Sequence, residues 1–167
     1  MRPTTKKIAV LGLCTAVALI LAYVESMLPP LFHAVPGIKI GLPNIIIVFI
    51  LYRFGLKEAA VVSLIRMLAV SFMFGNMMAL VYSLAGAFLS MLIMVVLKKM
   101  NFLSVVGVSV AGGVFHNVGQ IVAAMLLLGT AELGYYLIIL AITGTVSGIF
   151  VGLCGGIIVK RIPKKMI

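Results

Sequence analysis

The apolar positions of this chain run on in long blocks, broken by short clusters of charge, glycine and proline, and are not confined to one helix face. The blocks fall at about 8 to 28, 40 to 52, 59 to 74, 77 to 97, 103 to 128 and 133 to 159. A helix rises ~1.5 Å per residue and the bilayer core is ~30 Å thick, so about 20 apolar residues make a crossing. All but the second and third blocks come near that length. The pattern predicts an all-α integral membrane protein with six transmembrane helices. They form a single transmembrane domain over residues 1–167, with spans at about 8–28, 38–52, 58–74, 77–97, 103–128 and 133–159.

Composition agrees. Of 167 residues 64% are hydrophobic and 10% charged, with a mean hydropathy of +1.34, whereas a soluble domain is ~25% charged. Cys14 and Cys154 lie inside apolar runs without CxxC spacing, which reads as small core residues rather than a disulfide or a metal site. The opening "MRPTTKKIAVLGLCTAVALILAYVE" imitates a secretory signal, but its apolar run continues to Leu28 with no A-x-A-like site. An uncleaved first span is expected. "LGLC" places a leucine before Cys14 where a lipoprotein signal needs a small residue.

The net charge of +10 does not point to nucleic acid, because the cations cluster at the ends of apolar segments. Arg2, Lys6 and Lys7 precede the first span, and Arg53 and Lys57 lie between the second and third. Lys98 and Lys99 lie between the fourth and fifth, and Lys160, Arg161, Lys164 and Lys165 follow the sixth. Eleven of the thirteen basic residues thus share one face, which the positive-inside rule makes cytoplasmic, with both termini on that side. The exceptions are Lys39, in an outer connection, and Arg66, within the third span.

Lys39 belongs to "VPGIKIGLPN", residues 35 to 44. From Pro43 to Tyr52 is ten residues, about 15 Å of helix and half a crossing. Proline donates no backbone hydrogen bond and disfavours helical geometry in the residue before it. A helix starting at Pro43 is therefore expected, with Asn44 as its cap. Residues 33 to 42 are expected to descend into the membrane as irregular backbone, which survives there only inside protein or along a wet cavity.

Arg66 lies eight residues from Glu58, about 12 Å along the third span and near the midplane. A charge there must be paired or wet. In the fifth span Gly112, His116, Gln120 and Ala124 recur every fourth position and share one face, with Asn117 beside them. Glu25, Lys39, Arg66, His116, Asn117 and Gln120 are expected to converge on an outward-facing cavity floored near the midplane. Two cations, amides and an imidazole suit a substrate with an anionic or strongly polar group. In the competing reading Arg66 pairs with Glu25 or helix-end carbonyls, while His116 and Asn117 hold helices together. Gly144, Gly148, Gly152 and Gly156 make a small-residue stripe on the sixth span, expected to pack inside the bundle.

Missing residues narrow the chemistry. The chain has no aspartate, so it lacks the motifs that hold magnesium against a diphosphate in prenyl diphosphate synthases. It has no G-x-x-x-x-G-K-[ST] sequence for ATP, and its two histidines cannot make a bis-His di-haem site. No enzyme activity and no cofactor are expected.

The order "AYVESMLPP", "PGIKIGLPNIIIVFILYRFG" and "GVFHNVGQ" resembles the family called Gx transporters, often labelled heptaprenyl diphosphate synthase component I. That family is similar to the S components of energy-coupling factor (ECF) transporters, six-helix membrane subunits that capture vitamins and related nutrients. The resemblance implies an S-component-like bundle in a bacterial cell membrane. A small polar or anionic nutrient would bind Arg66, His116, Asn117, Gln120, Lys39 and Glu25, beneath a gate containing Gly37 and Gly41. It also implies a transmembrane coupling protein and two ATPase subunits as partners. In S components a small-xxx-small pair on the first helix docks the coupling subunit; Ala18 and Ala22 match it, and Gly12 and Ala16 offer a second pair on another face. The alternative is an accessory, non-catalytic membrane subunit of isoprenoid or quinone synthesis. A homo-oligomeric channel is a third reading, without a pore motif to carry it.

Overall fold

A computed structural model describes residues 5–28 and 40–162. Lys39, Gly37 and most of the connection expected to be irregular lie outside the described residues, as do Arg2, Lys164 and Lys165. The described chain is helical: α1 Thr5–Met27, α2 Asn44–Arg53, α3 Leu56–Phe74, α4 Met77–Met100, α5 Val105–Leu128 and α6 Leu137–Arg161. A 3₁₀ segment, Ala131–Tyr136, leads into α6. Four stretches are long and apolar enough to cross a membrane: α1, α4, α5 and the continuous run Ala131–Arg161. This is a multi-pass membrane protein. Of the other two helices, α2 has ten residues, and α3 has 19 and carries Lys57, Glu58 and Arg66.

The second helix is the centre of the fold. Ile45, Ile46, Ile47, Val48, Phe49, Ile50 and Leu51 are all buried, and a helix apolar on every side is stable only when enclosed on every side. It packs against α1, α3 and α6. Its start differs from the capped start expected. Pro43 occupies the cap position already in helical conformation, with no side-chain cap. The free N–H groups of Asn44, Ile45 and Ile46 bond to the carbonyls of Gly41, Leu42 and Pro43 at 2.9, 3.2 and 3.1 Å. Backbone carbonyls thus do the work a cap would do, and the Asn44 side chain is released. Asn76 and Ser104 are caps, accepting from the backbone N–H of Ala79 and Gly107 at 2.8 and 3.2 Å.

One end of the bundle gathers the charge. Lys7 on α1 pairs with Glu58 on α3. Lys98 on α4 donates to the Leu51 carbonyl at the end of α2 and lies 4.9 Å from the centroid of the Tyr52 ring. Every described lysine or arginine except Arg66 sits at a helix end on this side. Gly55, at φ +117°, makes the sharp turn from α2 into α3 there, a conformation in which a Cβ would be strained.

Glycines set the tightest helix contacts. A Cβ built on Gly113 would lie 2.4 Å from the Gly144 carbonyl oxygen, one on Gly148 2.6 Å from Val110 Cα, and one on Gly152 2.7 Å from Val106 Cα. The α6 stripe therefore packs inside the bundle, backbone against the backbone of α5. On the other side of α5, a Cβ on Gly86 of α4 would come 2.6 Å from the His116 carbonyl oxygen.

Ala18 and Ala22 correct an expectation. They are 0% and 6% exposed, Ala18 in the core with α2 and Val62 of α3, Ala22 on a cavity wall. Their small size lets α1 approach its own bundle, and no surface remains for a partner. Gly12 and Ala16 are the exposed pair, and a Cβ on Gly12 would meet nothing within 4 Å.

Candidate functional site

A helix that stops halfway leaves a space above it. α2 fills the charged half of the bundle, and over its start lies a cavity of about 800 Å³ whose walls come from all six helices. Its floor includes Pro43, Asn44, Ile47 and Val48. Small residues at the α4–α5 and α5–α6 contacts bring those backbones together behind the cavity, so its inner surface is made of side chains projecting from α3, α4 and α5.

Five of the six residues expected to converge do line it: Glu25 from α1, Arg66 from α3, and His116, Asn117 and Gln120 from α5. Lys39, the sixth, is outside the described residues. Each of the five described is half-buried. Arg66 is the outstanding member. Its Nε is buried without a hydrogen-bond partner, and no carboxylate among the described residues lies within ion-pair distance of it. Glu25 attracts it through the field while accepting a hydrogen bond from the Gly41 N–H. The expected alternative of a closed Arg66–Glu25 pair is not what is observed.

Asn117 is different. Its Nδ2 donates to the Leu140 carbonyl of α6 at 2.6 Å, so this amide braces two helices even as its side chain borders the cavity. Gln120 and His116 stand where α4 comes closest: a Cβ on Gly86 would be 2.8 Å from Gln120 Cγ and 3.1 Å from His116 Cε1. Gly41 takes φ +81°, and a Cβ there would lie 3.2 Å from Asn44 Nδ2. Its left-handed backbone lets the chain turn into α2 while its N–H points at Glu25.

The cavity also extends past Arg66 toward the charged end, where Ser63, Ser90, Ser109, Met91 and Met94 line it. Ser63 stands three residues before Arg66 on α3 and Ser109 seven before His116 on α5, both toward the charged end. The signal was in the sequence, since those spacings keep each serine on the face of its polar neighbour.

A family model described as Heptaprenyl diphosphate synthase component I matches residues 14–158. The chain belongs to that family. The matched stretch runs from α1 into α6 and includes every described cavity residue discussed here. For a heptaprenyl diphosphate synthase component I member, the absence of aspartate means that magnesium-held diphosphate chemistry has no aspartate ligands in this chain. No curated protein and no solved structure matches it.

Proposed function

We propose that the protein is the substrate-binding membrane subunit of an ECF-type uptake transporter in a bacterial cell membrane. Six helices cross or enter the bilayer, both termini and the basic end are cytoplasmic, and the cavity opens outward. The observation that carries this reading is Arg66: a guanidinium in the middle of α3, its Nε buried without a hydrogen-bond partner, on the wall of a cavity large enough for a nutrient. Leaving a buried donor unsatisfied is costly, and an anionic group entering the cavity would satisfy it. Arg66 supplies the positive charge, with Lys39 as a second cation. His116 and Gln120 orient the ligand, Asn117 holds the wall, and Glu25 balances charge. Gly41 and Gly37 are the glycines this reading assigns to the gate. The chain has no ATP-binding motif, so energy comes from a coupling protein and two ATPases, with Gly12 and Ala16 as the small-residue contact available on the lipid-facing side of α1.

The second reading, a non-catalytic membrane subunit of isoprenoid synthesis, is favoured by the family description alone. Purification of the full chain from its native membrane separates the two. Recovery with a transmembrane coupling protein and two ATPases supports transport; recovery with a soluble prenyl synthase and without ATPases supports the accessory role and overturns the first reading.

A further inference from the structure

The part of the cavity nearest the charged end is lined by three serines. Ser63, Ser90 and Ser109 come from α3, α4 and α5 and are 5%, 7% and 3% exposed, yet all three line the cavity. A serine inside a membrane helix ordinarily bonds back to the carbonyl one turn earlier, as Thr145 does to Ala141 at 2.8 Å. No hydrogen bond from the Ser63, Ser90 or Ser109 hydroxyl is found among the described residues, and none of these oxygens is sealed in the core. Three buried hydroxyls on three helices therefore turn toward one space.

Position gives that space a role. Ser63 lies one turn below Arg66, about 4.5 Å along α3, and Ser109 lies about 10 Å below His116 along α5. Ser90 faces α5, where a Cβ on Gly112 would come 3.3 Å from its Oγ. Arg66 thus stands on the cavity wall above a group of hydroxyls with Met91 and Met94. Among the described lining residues, the only carboxylate is Glu25 and the only lysine or arginine is Arg66. Toward the charged end from Arg66 the described lining holds no lysine, arginine or histidine, so a diphosphate reaching the serines would bury uncompensated charge, which is prohibitive. Nor does an isoprenoid tail satisfy serine hydroxyls. Each would forfeit its hydrogen bonding against hydrocarbon.

We propose that the chamber beneath Arg66 is a second subsite, for an uncharged hydrogen-bonding group such as an amide or a heterocyclic carbonyl. The ligand then carries its anionic group at Arg66 and a polar, neutral end that reaches Ser63, Ser90 and Ser109. This rests on the substrate-binding reading above and specifies its ligand class.

The test uses the full chain in lipid nanodiscs with single reporter cysteines at the mouth (Ala124→Cys) and in the chamber (Met91→Cys, with Ser90→Cys as an isosteric second reporter). Labelling of wild type gives the background from Cys14 and Cys154. The reagents are an anionic ethylsulfonate and a cationic trimethylammonium methanethiosulfonate of similar size. The mouth reporter is expected to react with both. Both chamber reporters are expected to react about tenfold faster with the anionic reagent, because the Arg66 charge above them focuses the field, and to lose that preference with Arg66→Gln. Adipic acid monoamide is then expected to protect Met91→Cys at about tenfold lower concentration than heptanoate, its apolar-ended counterpart, or farnesyl diphosphate. A reactive mouth with an inert chamber overturns the subsite and leaves the outer site standing. An inert mouth overturns the transport reading as well. Equal or better protection by heptanoate or farnesyl diphosphate, or none by the monoamide, overturns the ligand class.

Discussion

The Glu25 carboxylate at the end of α1 accepts a hydrogen bond from the Gly41 N–H at the approach to α2. The residue that attracts Arg66 electrostatically is therefore also the residue that ties the α1–α2 connection to the cavity wall. Glu25→Ala is expected to lower stability by about 1–3 kcal/mol, because a charge-assisted bond to backbone is lost. Glu25→Gln, which keeps an acceptor, is expected to cost less. Thermal unfolding of the purified variants measures both.

Glycine contacts give a graded series. Gly113→Val places a side chain where 2.4 Å separates a Cβ from the Gly144 carbonyl oxygen, and α5 and α6 must part. Gly156→Ala meets Val105 at 3.8 Å and Gly12→Ala meets nothing within 4 Å. The first is expected to abolish recovery of folded protein. The other two are expected to leave unfolding temperature unchanged, as read by size-exclusion and thermal melts.

The order and approximate bounds of the six helices were largely legible in the sequence, because the apolar runs are separated by charge, glycine and proline and Pro43 marks where helix geometry resumes. The grouping of Arg66, His116, Asn117 and Gln120 on one cavity was legible too, since their spacing fixes their faces. Three features were not. Whether Asn44 caps α2 depended on backbone carbonyls at Gly41 and Leu42 already occupying the free N–H groups, a local turn that residue type does not encode. Which of two small-residue pairs on α1 turns inward depended on packing against α2 and α3, and it is Ala18 and Ala22 that α2 and the cavity claim. The depth of the cavity had only a partial signal, in the spacing of Ser63 to Arg66 and of Ser109 to His116, because the space these residues face exists only where α2 starts at half height.

Asn117 is expected to be a structural residue first. Asn117→Ala loses the bond to the Leu140 carbonyl and is expected to cost about 0.6–1.7 kcal/mol, the range for such bonds between membrane helices. Asn117→Asp, which turns a carboxylate toward that carbonyl, is expected to cost more. Unfolding in graded denaturant ranks the two.

The basic end offers a contrast between two lysines. Lys98 combines a bond to the Leu51 carbonyl with the face of Tyr52; Lys98→Ala is expected to cost about 1–2 kcal/mol. Lys7 pairs with Glu58 where the two side chains are 32% and 21% exposed, and Lys7→Ala is expected to cost at most ~1 kcal/mol and less in high salt. Melts at low and high salt distinguish them.

The Arg66 Nε, buried on the cavity wall without a hydrogen-bond partner, is the point on which the function turns. Equilibrium binding of the purified full chain to a panel of small metabolites, wild type beside Arg66→Gln, tests it directly. A ligand that binds wild type is expected to bind Arg66→Gln at least about 30-fold more weakly, the loss that follows when one partner of a desolvated charge pair is removed. A ligand bound equally by both proteins would contradict it.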